Sequence, residues 1–256
     1  MLTMASTQSS KTLTVGLPSE VALVNAALSS DGSVVYGSGS DGASVVVQGF
    51  TNGVRISTTL ASSDVGTSFS YPLDLPKGSR IEILDTGGVL LVGPDGSFLG
   101  GLLAPWAKDR NGASVATHYE VDGNSMVQVI DGDPARLAYP VVADPYFFID
   151  LIDSYQWVYA SGPGWTDRVH PTAWATANCC GWAVAEYGWE ELVHKDPNHA
   201  NVGWLGPGMH DQFDCHQMTS LIIWISGHAT YNLDLNRRYV GLPATIALYA
   251  CNPPWI

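Results

Sequence analysis

Tyr139-Pro140-Val141-Val142-Ala143-Asp144-Pro145 separates two stretches of different chemistry. Two prolines bracket an extended apolar segment, and a residue before proline is biased away from helix. Beyond this segment lie all four cysteines (Cys179, Cys180, Cys215, Cys251), six of the seven histidines and eight of the nine tryptophans. A shift this sharp marks a domain boundary. Working outward, residues 1–12 read as a small, polar, disordered tail, 13–143 as one domain and 146–256 as a second. A chain of 256 residues accommodates two ordinary domains and buries a core without help from disulfides or metal.

Residues 13–143 read as all-β, an antiparallel sandwich or meander. Turn signals recur at Asp31-Gly32, Asp41-Gly42, Asn52-Gly53, Gly87-Gly88, Asp95-Gly96, Asn111-Gly112, Asp122-Gly123 and Asp131-Gly132. Between them, Ala43–Gln48, Val54–Thr59, Arg80–Leu84, Val89–Val92 and Thr117–Val121 suit strands. Gly37-Ser38-Gly39-Ser40-Asp41-Gly42 matches a dinucleotide fingerprint by letter only. A β-rich run follows it where that motif needs a helix, so it reads as a hairpin turn. Asp122, Asp131 and Asp133 read as turn residues before calcium ligands. Trp106 reads as a core plug carried on a loop crossing the sheet.

Residues 146–256 read as α+β. Val184–Lys195 gathers Val184, Tyr187, Trp189 and Leu192 near one stripe, a helix weakened by Gly188. Asp211–Ser226 is a stronger helix, with Asp211 at its N-terminus and Gly227 as its stop. Ala229–Leu235 and Thr245–Cys251 read as strands. His194 and His199 flank a segment that reads as a solvated loop.

Composition excludes several function classes. Eleven Lys and Arg against 24 Asp and Glu leave a net charge of −13, the wrong sign for a phosphate backbone or an anionic membrane. The run Leu221-Ile222-Ile223-Trp224-Ile225 is far too short to span a bilayer. The opening MLTMASTQSSKT has no basic start followed by an apolar stretch, so no signal peptide is read there, and a removed one stays compatible.

Three motifs follow in order: His210-Asp211-Gln212-Phe213-Asp214-Cys215-His216, Thr230-Tyr231-Asn232-Leu233-Asp234 with Arg237, and Ala250-Cys251-Asn252-Pro253. Gly188-Trp189-Glu190-Glu191-Leu192 precedes them. Over roughly residues 150 to 256 this pattern resembles the C-terminal domain of exported actinobacterial proteins grouped as domain of unknown function 2599. Tyr231 stands where that pattern has tryptophan, and Cys179-Cys180 lies outside it. The resemblance implies export and assigns no activity. It also implies a disulfide between Cys215 and Cys251, both within its motifs, tying the main helix to the C-terminal strand. Cys179 and Cys180 are adjacent, a strained spacing for a mutual bond. They stay open as free, vicinally bonded or metal-linked thiols, and no cysteine pair has the two-to-four-residue spacing usual for zinc.

Among the motifs there is no nucleophile elbow, P-loop or H-E-x-x-H. Gln212 and His216 are four apart and share a helical face. His216 is the candidate general base, Glu191 or Asp234 its carboxylate partner. Arg237 is a candidate anion clamp, Asn232 a source of orienting hydrogen bonds, and Trp189 a stacking surface. The same residues also suit a buried polar network pinning helix to sheet. The expected function is a secreted or cell-envelope binding module for a cell-wall glycan or a protein partner, using Gln212, Asn232, Arg237 and Trp189. The alternative is an exported hydrolase or antibacterial toxin built on His216, Glu191 and Asp234. Neither reading calls for a metal or cofactor, a nucleic acid or a membrane span.

Overall fold

The computed structural model describes residues 1–6, 9–38, 42–161, 164–177, 182–200, 206–220 and 230–256. The chain divides into two compact units, Met1–Ile149 and Asp150–Ile256.

The first unit is built from antiparallel strands. In chain order these are β1 (Leu2–Ala5), β2 (Thr12–Val15), β3 (Leu23–Leu28), β4 (Val34–Ser38), β5 (Ala43–Phe50), β6 (Gly53–Leu60), β7 (Ser68–Asp74) and β8 (Arg80–Ile83). They continue with β9 (Val89–Val92), β10 (Phe98–Leu102), β11 (Trp106–Lys108), β12 (Ser114–Val115), β13 (Thr117–Asp122), β14 (Ser125–Ile130), β15 (Val141–Asp144) and β16 (Tyr146–Phe148). One sheet has the order β1-β2-β7-β14-β13. The larger one runs β12-β11-β15-β6-β16-β10-β9-β8, with β5, β4 and β3 extending from the other edge of β6. Both sheets contribute to one core: Leu13, Phe69, Tyr71 and Met126 from the first, Val45, Ile56, Val141 and Phe147 from the second. The alternation of inward side chains is clear in β6, where Val54, Ile56, Thr58 and Leu60 are buried. The inward Thr58 hydroxyl is satisfied by the Tyr71 hydroxyl at 3.1 Å.

The turn residues serve the geometry read from them. Glycines 32, 42, 87, 96, 112, 123 and 132 all take positive φ, between 57° and 99°. Gly53 has a different role: a Cβ there would lie 2.3 Å from the Phe147 carbonyl oxygen, so only glycine lets β16 approach β6. The Asp133 carboxylate accepts from Ala135 N–H at 3.0 Å, and Asp131 sits 2.9 Å from His118 Nδ1. The fingerprint-like stretch at 37–42 joins β4 to β5, and Gly39, Ser40 and Asp41 lie outside the described residues.

Three expectations differ here. The first twelve residues are not a free tail; Leu2–Ala5 pairs with Thr12–Val15, and Leu2 and Met4 pack on the core. The segment read as the domain boundary lies inside the first unit as β15, paired with β6 and β11, with Val141 and Ala143 in its core. Trp106 is no core plug. On three-residue β11 it is Ala107 that points inward, leaving Trp106 37% exposed with the Lys108 ammonium 6.0 Å from its ring.

The second unit is α+β. A sheet of β17 (Ile152–Ala160), β18 (Gly164–Pro171) and β19 (Tyr231–Asp234) carries α1 (Ala173–Ala177), α2 (Trp182–Lys195), α3 (Pro197–Ala200), α4 (Gly206–Met218) and α5 (Leu242–Tyr249). Thr172 opens α1, its hydroxyl accepting from Ala175 N–H. Helix α4 begins at Gly206, so Asp211 lies in its second turn rather than at its N-terminus. Its expected end and Gly227 lie outside the described residues, as do Cys179, Cys180, Trp204 and Trp224. Gly188, read as weakening α2, marks where α2 meets α4: a Cβ there would lie 2.9 Å from the Phe213 ring. Thr245–Cys251, read as a strand, is mostly α5. Pro243 lies in its first turn, where the missing N–H costs nothing and the fixed φ suits a helix start.

Candidate functional site

The ladder of the C-terminal sheet fixes which side chains meet. Directly opposed residues of an antiparallel pair share a face. Tyr155↔Val169, Trp157↔Asp167 and Tyr159↔Trp165 between β17 and β18, then Val169↔Tyr231 and Asp167↔Leu233 between β18 and β19, therefore form one face. Val169, Tyr231 and Leu233 are buried there with Leu192 of α2 and Met209 and Phe213 of α4. At the hairpin end the face is open. Tyr159 is 69% exposed and Trp165 49%, their rings edge to face at 5.3 Å.

The residues expected to be catalytic are not assembled into one centre. His216 is buried, its ring stacked on Tyr231 at 5.5 Å, and neither ring nitrogen has a hydrogen bond of good geometry. Burial pushes it down to about 4, against the Asn232 main chain and the Asp234 carboxylate, which pull it upward. At neutral pH it is an uncharged core imidazole. Glu191 accepts from Leu151 N–H and Ile152 N–H at 2.9 Å each and pairs with Lys195 Nζ at 2.7 Å. Lys195 also reaches Asp150 at 3.1 Å and the Ile152 carbonyl at 2.9 Å, so this ion pair pins the start of β17. Asp234 accepts from the Thr166 hydroxyl at 2.6 Å and from Arg237 Nε at 2.9 Å.

The residues expected to bind are mostly engaged inside the fold. Gln212 accepts from Asp234 N–H at 2.9 Å and donates to Asp234 C=O at 3.0 Å, so an α4 side chain caps edge strand β19. Arg237 donates to Asp234, to the Pro253 carbonyl at 2.6 Å and to Asn252 Oδ1 at 3.2 Å, and its guanidinium lies 3.5 Å from the Trp255 ring centroid. It clamps the C-terminal segment. Trp189 is stacked on His210 at 4.6 Å and touches His199 and Phe213. Asn232 is exposed, and its side-chain oxygen accepts from the Thr230 hydroxyl at 3.4 Å. Cys215 of α4 and Cys251 after α5 form a disulfide, joining helix to helix end rather than helix to strand.

Two clusters were not read from the sequence. On α4, His210 Nε2 lies 3.5 Å from Asp214 Oδ1 and 3.9 Å from Glu186 Oε2 of α2. Burial, with the charges of Glu186 and Asp211, lifts Asp214 to about 7. Burial lowers His210, opposed by Glu186. The second cluster lies on the buried part of the sheet face. His199 Nε2 is 2.8 Å from Asp167 Oδ2 and 3.7 Å from Asp196 Oδ2, with all three side chains sealed from solvent. His199 is therefore not in a solvated loop. Trp157 Nε1 donates to Asp196, and Asn198 holds the other Asp196 oxygen through N and Nδ2 at 2.9 Å each. These three are the described residues whose ligand atoms could hold a metal ion. A signal was present: in Trp165-Thr166-Asp167-Arg168-Val169 the acid falls on the inward phase of a strand. The alternation Tyr155, Trp157, Tyr159 likewise announced an aromatic row on one face.

No curated protein and no solved structure matches the chain. Residues 152–254, which carry the three-stranded sheet, the α4 motif and the disulfide, match the family model described as protein of unknown function (DUF2599), so the C-terminal half of the chain is a domain of that family.

Proposed function

We propose that the chain is an exported, envelope-associated binding module of actinobacterial type that grips a cell-wall glycan through the open end of its C-terminal sheet. The carrying observation is the Tyr159–Trp165 pair, two large rings held edge to face and left in solvent. Aromatic faces stack on the C–H faces of sugar rings, and an exposed aromatic pair is costly to keep without a partner. Asn236, exposed beside Gly164 at the same hairpin end, supplies hydrogen-bonding groups next to the rings. The Cys215–Cys251 bond supports an oxidising compartment, and the net charge of −13 argues against nucleic acid. The dispersal of His216, Glu191 and Asp234 into separate structural contacts favours binding over the hydrolase reading based on them.

One observation favours a second, hydrolytic reading: a carboxyl lifted to about 7 at Asp214, 3.5 Å from His210, is suited to proton transfer at neutral pH. Incubating the full chain with labelled, insoluble cell wall separates the two. Binding gives pelleting without soluble fragments, reduced at least tenfold in Tyr159→Ala/Trp165→Ala. Fragment release abolished by Asp214→Asn supports the hydrolase instead.

A further inference from the structure

We propose that Asp167, Asp196 and His199 form a buried site for one divalent transition cation of the zinc type, independent of the glycan reading. Three elements converge on it: Asp167 from β18, Asp196 from the end of α2 and His199 from α3. One ligand atom from each lies within 4.8 Å of the others. A zinc ion at about 2.1 Å from each ligand needs ligand–ligand separations of about 3.4 Å. The 3.7 Å from His199 to Asp196 already suits this, and the 2.8 Å from His199 to Asp167 has to open by about 0.6 Å.

The charge balance points the same way. Two carboxyl groups are sealed from solvent beside a single imidazole. Among the described residues neither carboxylate has a Lys or Arg within ion-pair distance; Lys195, one residue from Asp196, is committed to Glu191 and Asp150. Burying an unbalanced charge is expensive, and a bound cation removes the cost. A second observation is independent of the carboxylate count. Asp167 Oδ1, on the carboxyl that faces His199 Nε2, is buried without a hydrogen-bond partner, although such atoms are almost always satisfied. It marks a polar cluster whose own members do not complete it.

The surroundings resemble the outer shell of a metal site. Trp157 and Trp189 wall His199 at 5.4 and 5.2 Å, excluding water, while Trp157 Nε1 and Asn198 orient the Asp196 carboxylate. Two carboxylate oxygens and one imidazole nitrogen suit Zn²⁺ and its neighbours. They are too few, and too nitrogen-containing, for Ca²⁺ or Mg²⁺. With every ligand inaccessible, the ion would fasten β18 to the α2–α3 junction, a structural role.

The test uses the full chain, stripped with chelator, dialysed and titrated with Zn²⁺ by calorimetry, with metal content measured by elemental analysis. The expected result is one Zn²⁺ per chain, a higher melting temperature when loaded, and affinity lowered at least 100-fold in Asp167→Asn and in His199→Gln. His194→Ala, which removes an exposed histidine nearby, should bind as wild type does. Should the two variants fail to fold, Co²⁺ added to the stripped wild type should give the visible absorption of a low-coordinate site, bleached by one equivalent of Zn²⁺. No stoichiometric uptake, affinity unchanged in folded Asp167→Asn, or Co²⁺ showing only its hexa-aqua spectrum would each overturn the proposal.

Discussion

Asp214 and His216 stand two residues apart on α4 and respond to acid in opposite directions. His216 is held at about 4 by burial, below its ordinary 6.5. The unfolded chain takes up that proton first, so the contribution of His216 is complete above pH 6.5 and is lost as the pH falls toward 4. The difference amounts to about 3 kcal/mol. Replacing His216 with Phe, which keeps a ring against Tyr231, should remove this acid sensitivity; urea unfolding at pH 7 and pH 4.5 measures it. An unchanged pH slope in the variant would mean that His216 is not buried neutral. Asp214 has the reverse sign. Its folded value near 7 lies above the ordinary 3.8, so its contribution is present at low pH and lost as the pH rises through 7. Asp214→Asn mimics the protonated form and should raise the melting temperature most above pH 7, the gain fading toward pH 4. The sequence showed both residues in one helical motif but not these environments, because burial depends on which face of α4 meets the sheet and α2.

At the scale of elements, Gln212 and the disulfide hold α4 in place. Gln212 satisfies both main-chain groups of Asp234 on an edge strand, as a neighbouring strand would. Gln212→Ala strands two buried backbone groups and should cost about 2–4 kcal/mol, at about 1–2 kcal/mol for each lost bond. Hydrogen exchange at the Asp234 amide should accelerate with it, and an unaltered exchange rate would contradict the cap. The polar-network reading of the helix face was therefore legible from Gln212, since a buried amide facing a strand must be spent on backbone. The strand read at Thr245–Cys251 was misjudged because Thr245 and Ile246 favour strands locally, while Pro243 two positions upstream opens a helix. His199 was misplaced because Asp196-Pro197-Asn198 has turn composition. Asp196 instead caps a short helix, accepting from Asn198 N–H, and draws His199 inward.

For the molecule as a whole, the separation of a β-rich half from an α+β half was legible in where cysteine, histidine and tryptophan lie. Apart from Asn52-Gly53, the Asp-Gly and Asn-Gly pairs marked tight turns because positive φ is a local demand that glycine meets cheaply. The edge of the first unit lies at Ile149 rather than within 139–145, since an apolar run between prolines fits a core strand as well as a boundary. The bridge at Cys215–Cys251 closes 36 residues and should stabilise its unit by about 4 kcal/mol in the chain-entropy model. Reduction should open protease sites within 150–256 before any within 1–149, read by mass spectrometry of the fragments. Cleavage beginning in the first unit would contradict that assignment of stability. The Tyr159–Trp165 pair bears on the central claim most directly. Wild-type chain and Tyr159→Ala/Trp165→Ala, both shown folded by their retained disulfide and melting curves, should be sedimented with purified, labelled cell wall. Wild-type protein should pellet with the wall and release no soluble fragments, while the double variant stays in the supernatant. Equal pelleting of the two proteins would contradict the account.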